Sequence, residues 1–447
     1  MRSEHPSDEP RSGHPTDVVV IGGGVAGLTA AALIGHRGRR VRLFEKAGEL
    51  GGRAVTQVKD GFSFNVGPHA LYRDAAGIRV LAELGIKPQG AMPQPSGGHA
   101  VLGDVKHAFP SGFLSLVSTG LLTLPGKLEV AKLLARLGSL DPTPYQSRTV
   151  DEMLASLSKR DDVRRLLGAL IRLSTYGNAP DRMSGGAALE QLQRALAANV
   201  LYLDGGWQQM VAALRDAALA AGVAIESGVR VTSVEQSASG AVEAVRLSDG
   251  TRLPCSAAIL AIAPDDASAL VSGAAQALLA QWSRDAIPVR AACLDLALDT
   301  LPAKHSTFAL GIDAPLYFSV HSAVAKLTPG HGALVHVAKY LDPAEKPDAT
   351  RDLAELERFT DLLQPGWREH VIHRRFLPHM TVTNALVTAR GGGLAGRPGP
   401  AVHGAAGLYV VGDWVGGDGM LVDASFASAR RAAELCLRDV VPQSVAA

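Results

Sequence analysis

Gly22, Gly24 and Gly27 stand in the spacing G-x-G-x-x-G, directly behind a short β-branched run (residues 17–21, DVVVI) and at the head of helix-forming residues 25–37. Residues of these types in this order handle phosphate. The first glycine permits a tight turn, the second lets a pyrophosphate approach the backbone, and the third lets helix and strand pack closely. Val25 and Ala26 open the helix, whose N-terminus offers N–H groups and a partial positive charge. Glu45 ends a second short strand, twenty-three residues after Gly22. That spacing is close to the roughly 20 expected for an acid holding ribose hydroxyls, and Lys46 follows it. Strand, glycines, helix, strand and acid together predict a dinucleotide site.

A second G-x-G-x-x-G, at Gly391, Gly393 and Gly396, is followed at once by Pro398 and Pro400. Proline there forbids an ordinary helix, so this copy reads as a loop and argues against a second, NAD(P)H-binding unit. Gly51, Gly52 and Arg53, in EKAGELGGRAV, select FAD over NAD. The two glycines let the chain pass close to the cofactor, and the guanidinium can fork onto pyrophosphate oxygens.

The elements that must position these residues form a βαβ unit at the start. Apolar spacing of three and four predicts helices over 128–137, 150–157, 163–173 and 187–198. A helix over 207–221 and strands over 223–225, 229–234, 241–247 and 258–262 follow, with a turn at Asp249-Gly250. Residues 266–390 read as a mixed block. A strand over 407–412 and an alanine-rich helix over 421–438 close the chain. The predicted class is α/β: a Rossmann-like FAD-binding domain of glutathione-reductase type, discontinuous in sequence, with an inserted α+β substrate domain. We assign 16–95, 203–265 and 395–440 to the first and 96–202 and 266–394 to the second, with 1–15 as a disordered tail.

With 447 residues, 47% hydrophobic and 19% charged, the chain can bury a large core. Forty-four basic against forty-three acidic residues give a formal charge of +1, so no global field favours nucleic acid. Cys255, Cys293 and Cys436 have neither disulfide nor zinc spacing and read as reduced thiols. The 14 histidines include no HExxH, and no metal site is expected. Without a signal-like h-region or an 18-residue apolar run, the chain reads as cytoplasmic, with no transmembrane segment. The apolar stretch 113–124 reads as a core helix or cavity wall ahead of a peripheral membrane contact.

On VVVIGGGVAGLTAA, FEKAGELGGR, GFSFNVGPHAL, LDGGW and GLYVVGDWVGGDGMLVDASFASARRAA, the sequence resembles the flavin-dependent amine oxidase and phytoene desaturase superfamily. The resemblance covers the nucleotide-binding segments and matches the inserted part only in general character. It implies that Val231 holds adenine through its backbone and that Gly412 and Asp413 bind the ribityl and phosphate region. It also implies that Met420, Leu421 and Val422 open a helix facing the flavin pyrimidine, with Gly67, Pro68 and His69 beside the isoalloxazine. Amine oxidases of this group usually place a lysine near the reactive ring atom, in a strand that follows a proline. The comparable segment here, 287–298 (IPVRAACLDLAL), has none, and Lys304 is the nearest candidate. Residues 390–394 lack the cysteine that anchors flavin in covalent relatives, so the expected FAD is non-covalent.

His69 is the ionisable group of the GPHAL segment and a candidate for proton transfer, although shaping the loop is the first reading. Tyr176 is a candidate for the substrate cavity wall. The leading expectation is hydride removal from a C–H of an apolar, isoprenoid-like or secondary-metabolite substrate. An amine or amino-acid oxidase using O2 and a non-catalytic flavin-binding protein are the alternatives. The sequence specifies no electron acceptor and no oligomeric state.

Overall fold

A computed structural model describes residues 17–93 and 98–439, so the expected tail over 1–15 lies outside the described residues. Strand Val18–Ile21 is buried along its whole length, and it sits at the centre of a five-stranded parallel sheet. Its neighbours are Val41–Glu45 and Ala257–Leu260, and the sheet continues to Ala224–Ser227 on one side and Leu408–Val410 on the other. Val18–Ile21 and Ala257–Leu260 are buried along their whole length and read as unbroken apolar runs, as strands covered on both faces must.

Helix Val25–Gly35 is buried on every side. It packs between helices Gln208–Ala220 and Leu421–Asp439, so its sequence is apolar all round. Each parallel strand delivers its carboxyl end to the same edge of the sheet. That edge is where α/β folds bind ligands.

The mixed block resolves into a seven-stranded sheet. Its order is Val371–Thr383, Val289–Leu298, Ala333–Tyr340, Leu316–Val320, Phe308–Gly311, Gly98–Leu102 and Val105–Ala108. All its pairings are antiparallel except Phe308–Gly311 with Gly98–Leu102. Helix Ala349–Leu363 covers one face through Leu356, Phe359 and Leu363. On the other face Cys293, Tyr317 and Tyr340 cluster with Tyr176, Leu377 and Met380. Helices between residues 113 and 198 form a further apolar core. No helix among the described residues is long and apolar enough to cross a membrane.

Candidate functional site

A cavity of about 530 Å³ opens at the carboxyl edge of the parallel sheet. From the first glycine turn it is lined by Gly22, Gly24, Val25 and Ala26, and from the second strand by Glu45 and Lys46. Gly51, Gly52, Arg53, Pro68, His69, Val231, Gly412, Asp413, Leu421 and Val422 complete its expected lining, and Tyr176 reaches it from the inserted part. The structure therefore brings together residues separated by up to four hundred positions. Gly27, Gly67 and Met420 are not among the cavity's lining residues. Lys304 does not join them: it sits exposed in the turn after strand Val289–Leu298. Nearness in sequence to that strand's end is not nearness to its cavity face.

The three glycines of the first turn divide by cause. A β-carbon on Gly22 would lie 2.5 Å from the Ala261 carbonyl oxygen, and one on Gly27 would collide with the Gly22 carbonyl, so both are required by the protein's own packing. Gly24 is different. A β-carbon there meets nothing nearer than the Gly51 oxygen at 3.9 Å. Its φ of −77° is open to any residue. Nothing in the protein's own packing requires glycine at 24, and the space above it is open to the cavity.

The polar groups around this turn are already organised. Glu45 accepts from the Gly23 N–H at 2.7 Å and the Ala47 N–H at 2.8 Å, which holds the carboxylate at the cavity rim. Arg53 pairs with Asp413 at 2.6 Å and donates to the Val382 carbonyl at 2.8 Å. Asp413 is buried, and its second oxygen accepts from the Asn384 side chain at 2.9 Å. The first turn of helix Leu421–Asp439 faces the same space through Leu421, Val422 and Ser425, presenting the positive end of a helix dipole. Leu421 has φ +55° and Tyr176 φ +59°. Left-handed backbone costs a non-glycine residue of order 1–3 kcal/mol, and such strain concentrates where function demands it.

At the other end the wall is apolar: Val66, Pro68, Ala70, Tyr176 and Met380. The ring nitrogens of His69 face the carbonyls of Gly67 and Arg53, each at 3.1 Å, and its ring meets Trp207 edge-on at 4.6 Å. Burial pushes its pKa down to about 4. A neutral imidazole carries one N–H and donates to one of these two carbonyls at a time, and with its pKa lowered it is poorly suited to accept a substrate proton. The Tyr176 hydroxyl donates to the Pro68 carbonyl at 3.2 Å, and burial raises its pKa well above the usual phenol range. It lines the cavity as a neutral, satisfied phenol.

Asp423, in the first turn of the closing helix, is almost fully buried and accepts from the Gly77 N–H at 2.8 Å. Burial pushes its carboxyl up to about 7, so the folded protein holds this proton more tightly than the unfolded chain, where such a group titrates near ~4. Its contribution to stability is complete below that lower value and is lost as pH rises from about 4 through about 7. Asp423→Asn is expected to flatten this part of the stability profile, as read by thermal unfolding across that range.

Sequence reasoning passed over several contributors. Met380, Thr381, Val382 and Asn384 line the cavity from a strand inside the mixed block. Trp207 does so as well, and it was visible as the tryptophan of LDGGW. Behind the Gly67 loop, Arg375, Asp295 and His336 lie side by side on three paired strands. Their only sequence signal is a lone acid and a lone histidine inside apolar strands.

A parallel sheet whose carboxyl edge carries a glycine turn, a carboxylate at the end of its second strand and a helix N-terminus has the form of a dinucleotide-binding fold. Residues 25–437 match the family of flavin containing amine oxidoreductases, and the chain belongs to that family. A coproporphyrinogen III oxidase of Propionibacterium freudenreichii is 41% identical over 86 residues, covering 19% of this chain and 16% of that protein. A 4,4'-diapophytoene desaturase (4,4'-diaponeurosporene-forming) of Staphylococcus haemolyticus is 26% identical over 208 residues, covering 42% and 38%. The matches thus span under two fifths of the length of these curated relatives. The crystal structure of an oxidoreductase from Methanosarcina mazei superposes with a TM-score of 0.73 at 18% identity, covering 94% of this chain and 100% of that one. The cofactor of the family is FAD, and the free space above Gly24, the cavity and the helix end fit it.

Proposed function

We propose that this protein removes a hydride from a C–H bond of an apolar substrate and passes it to non-covalent FAD, as a desaturase or dehydrogenase, with the second hydrogen leaving as a proton to solvent. The observation that carries this reading is the composition of the cavity's inner end. Strand Val289–Leu298 presents Ala291 and Cys293 on the face toward Met380, and burial raises the Cys293 thiol far above its ordinary range. Among the cavity's lining residues the only lysine is Lys46, at the ribose end, paired with Asp266 at 3.0 Å. No carboxylate stands among Val66, Pro68, Ala70, Tyr176 and Met380 to pair with a cationic amine.

Bound FAD would supply the hydride acceptor. In this reading Gly22, Gly24, Gly51, Gly52 and Arg53 hold its phosphates, Glu45 its ribose, and Val231 its adenine, while the helix at Leu421 faces the pyrimidine. Pro68, Tyr176 and Met380 exclude water and orient the substrate carbon, the positioning role proteins take in cofactor chemistry. The division of the chain into a FAD-binding part (16–95, 203–265, 395–440) and a substrate part (96–202, 266–394) belongs to the same proposal. The family's description as amine oxidoreductases supports a second reading, oxidation of amines by O2.

Anaerobic mixing of the holoprotein with detergent-dispersed polyenes on one hand and a panel of primary and secondary amines on the other separates the two. Bleaching of the flavin by an apolar compound and by no amine is the expected result; bleaching by amines alone reverses the assignment. Lys304→Met is expected to leave the rate of flavin reduction unchanged. A large loss of that rate would restore the amine-oxidase reading.

A further inference from the structure

Six of the eleven large hydrophobic side chains exposed among the described residues fall between positions 105 and 128. Phe113 is 80% exposed, Leu114 81% and Val117 56%, all on helix Phe113–Ser118. Leu124 at 73% and Leu128 at 60% follow on helix Leu124–Leu137. Single exposed hydrophobics are ordinary, but a contiguous patch marks an interaction surface. The buried residues of the same segments, Leu116, Leu121, Leu122, Val130 and Leu133, account for the core. The exposed ones remain unexplained by it.

Charge decides what the patch faces. Leu124, Leu128, Lys132 and Arg136 recur at every fourth position and so share one helix face. Each step rises about 6 Å. The face is apolar at its first turn and basic one to two turns further on, with Lys132 and Arg136 exposed. From 104 to 137 the chain carries Lys106, Lys127, Lys132 and Arg136 against Asp104 and Glu129, and Asp162 accepts from Thr123 beside Leu124. The Lys127 ammonium donates to the Val117 carbonyl, which fixes the short helix against the long one. An apolar tip ~5–10 Å deep below a basic band matches the layering of acyl chains beneath anionic headgroups.

Packed side chains connect the segment before the patch to the cavity wall. Phe109, four residues before Phe113, meets Phe308 edge-on at 5.5 Å, and Phe308 meets Tyr317 at 6.1 Å. Phe109, Tyr176 and Met380 belong to one apolar cluster, and the last two line the cavity. We infer that the surface formed by Phe113, Leu114, Val117, Leu124 and Leu128 docks the protein on an anionic lipid bilayer. This docking does not rest on the apolar-substrate reading above.

Co-flotation of holoprotein with phosphatidylcholine vesicles, with or without phosphatidylglycerol, tests the docking without any substrate. The wild type is expected to float with the phosphatidylglycerol vesicles and to be released as salt rises. Phe113→Ser with Leu114→Ser should lower partitioning by about a hundredfold or more while the flavin spectrum is kept. Lys132→Glu with Arg136→Glu should abolish the preference for the anionic lipid. Wild type left unbound by both vesicles, or equal flotation of wild type and the serine variant, overturns the inference. So does a dimer in lipid-free solution that the serine pair dissociates, since the patch would then be an interface between copies of this chain. Failure here leaves the flavin chemistry standing, and flavin inert to every apolar compound leaves the flotation result standing.

Discussion

Gly24→Val is expected to fold and to purify without colour. Its backbone angles are open to valine, and its β-carbon would touch no protein atom closer than 3.9 Å. The new side chain projects into the cavity where a pyrophosphate must approach, so FAD affinity should fall by two orders of magnitude or more, about 3 kcal/mol. Stability should fall only by the cost of valine at a helix N-cap, about 1 kcal/mol. Gly27→Val is the contrast. A β-carbon at 27 meets the Gly22 carbonyl within the protein itself, so this variant is expected to lose the fold along with the flavin. Absorbance at the flavin bands and far-UV circular dichroism of the two variants distinguish a ligand-imposed glycine from a packing-imposed one.

Asp295→Leu is expected to cost about 3–5 kcal/mol of stability, the usual penalty for breaking a buried ion pair from one side. Asp295 is fully buried, accepts from His336 at 2.6 Å on one oxygen and pairs with Arg375 at 2.6 Å on the other. Arg375 in turn donates to the Asn65 carbonyl, and the Asn65 side chain accepts from Thr56 at 2.7 Å and from the Trp207 N–H at 2.9 Å. This chain of bonds fastens the segment leading to Gly67, Pro68 and His69 onto the seven-stranded sheet, so loosening it should weaken flavin retention as well.

Burial alone would raise the Asp295 carboxyl, but His336 and Arg375 outweigh it and hold the pKa below the usual carboxylate range. A depressed folded value means that its stabilisation is present above about 4, where the unfolded group has ionised, and is lost as pH falls through the folded value. The wild type should therefore lose stability in acid more steeply than Asp295→Asn. Chemical denaturation that places the leucine variant within about 1 kcal/mol of wild type would contradict this account of the cluster.

The nucleotide-binding half was legible because its constraints are local. Gly22, Gly24, Gly27 and Glu45 fall within a short stretch of chain, and each type answers a steric or charge demand that a few neighbouring residues create. Strand Val18–Ile21 and helix Val25–Gly35 start within a residue of their expected positions. Of the seven-stranded sheet only the segment 287–298 was placed, and that by resemblance rather than by its own pattern. Strands Val289–Leu298 and Ala333–Tyr340 are buried on both faces, so the alternation that betrays a strand is absent.

The partners of Asp295 lie forty-one and eighty residues away, and no spacing rule links them. Lys304 misled for the same reason. The five residues from Cys293 to the end of its strand already span ~17 Å, which carries the lysine away from the cavity. The apolar run at 113–124 was seen, but its division into a buried and an exposed face depends on which helices pack beside it.

The state of the flavin in the purified holoprotein decides most directly whether this chain holds FAD without a covalent link. Precipitation with acid should leave the flavin in the supernatant, one FAD per chain and none attached to the pellet, and the stripped protein should recover the same spectrum when FAD is added back. Protein that carries no flavin and takes none up, or a pellet that stays yellow, would contradict it.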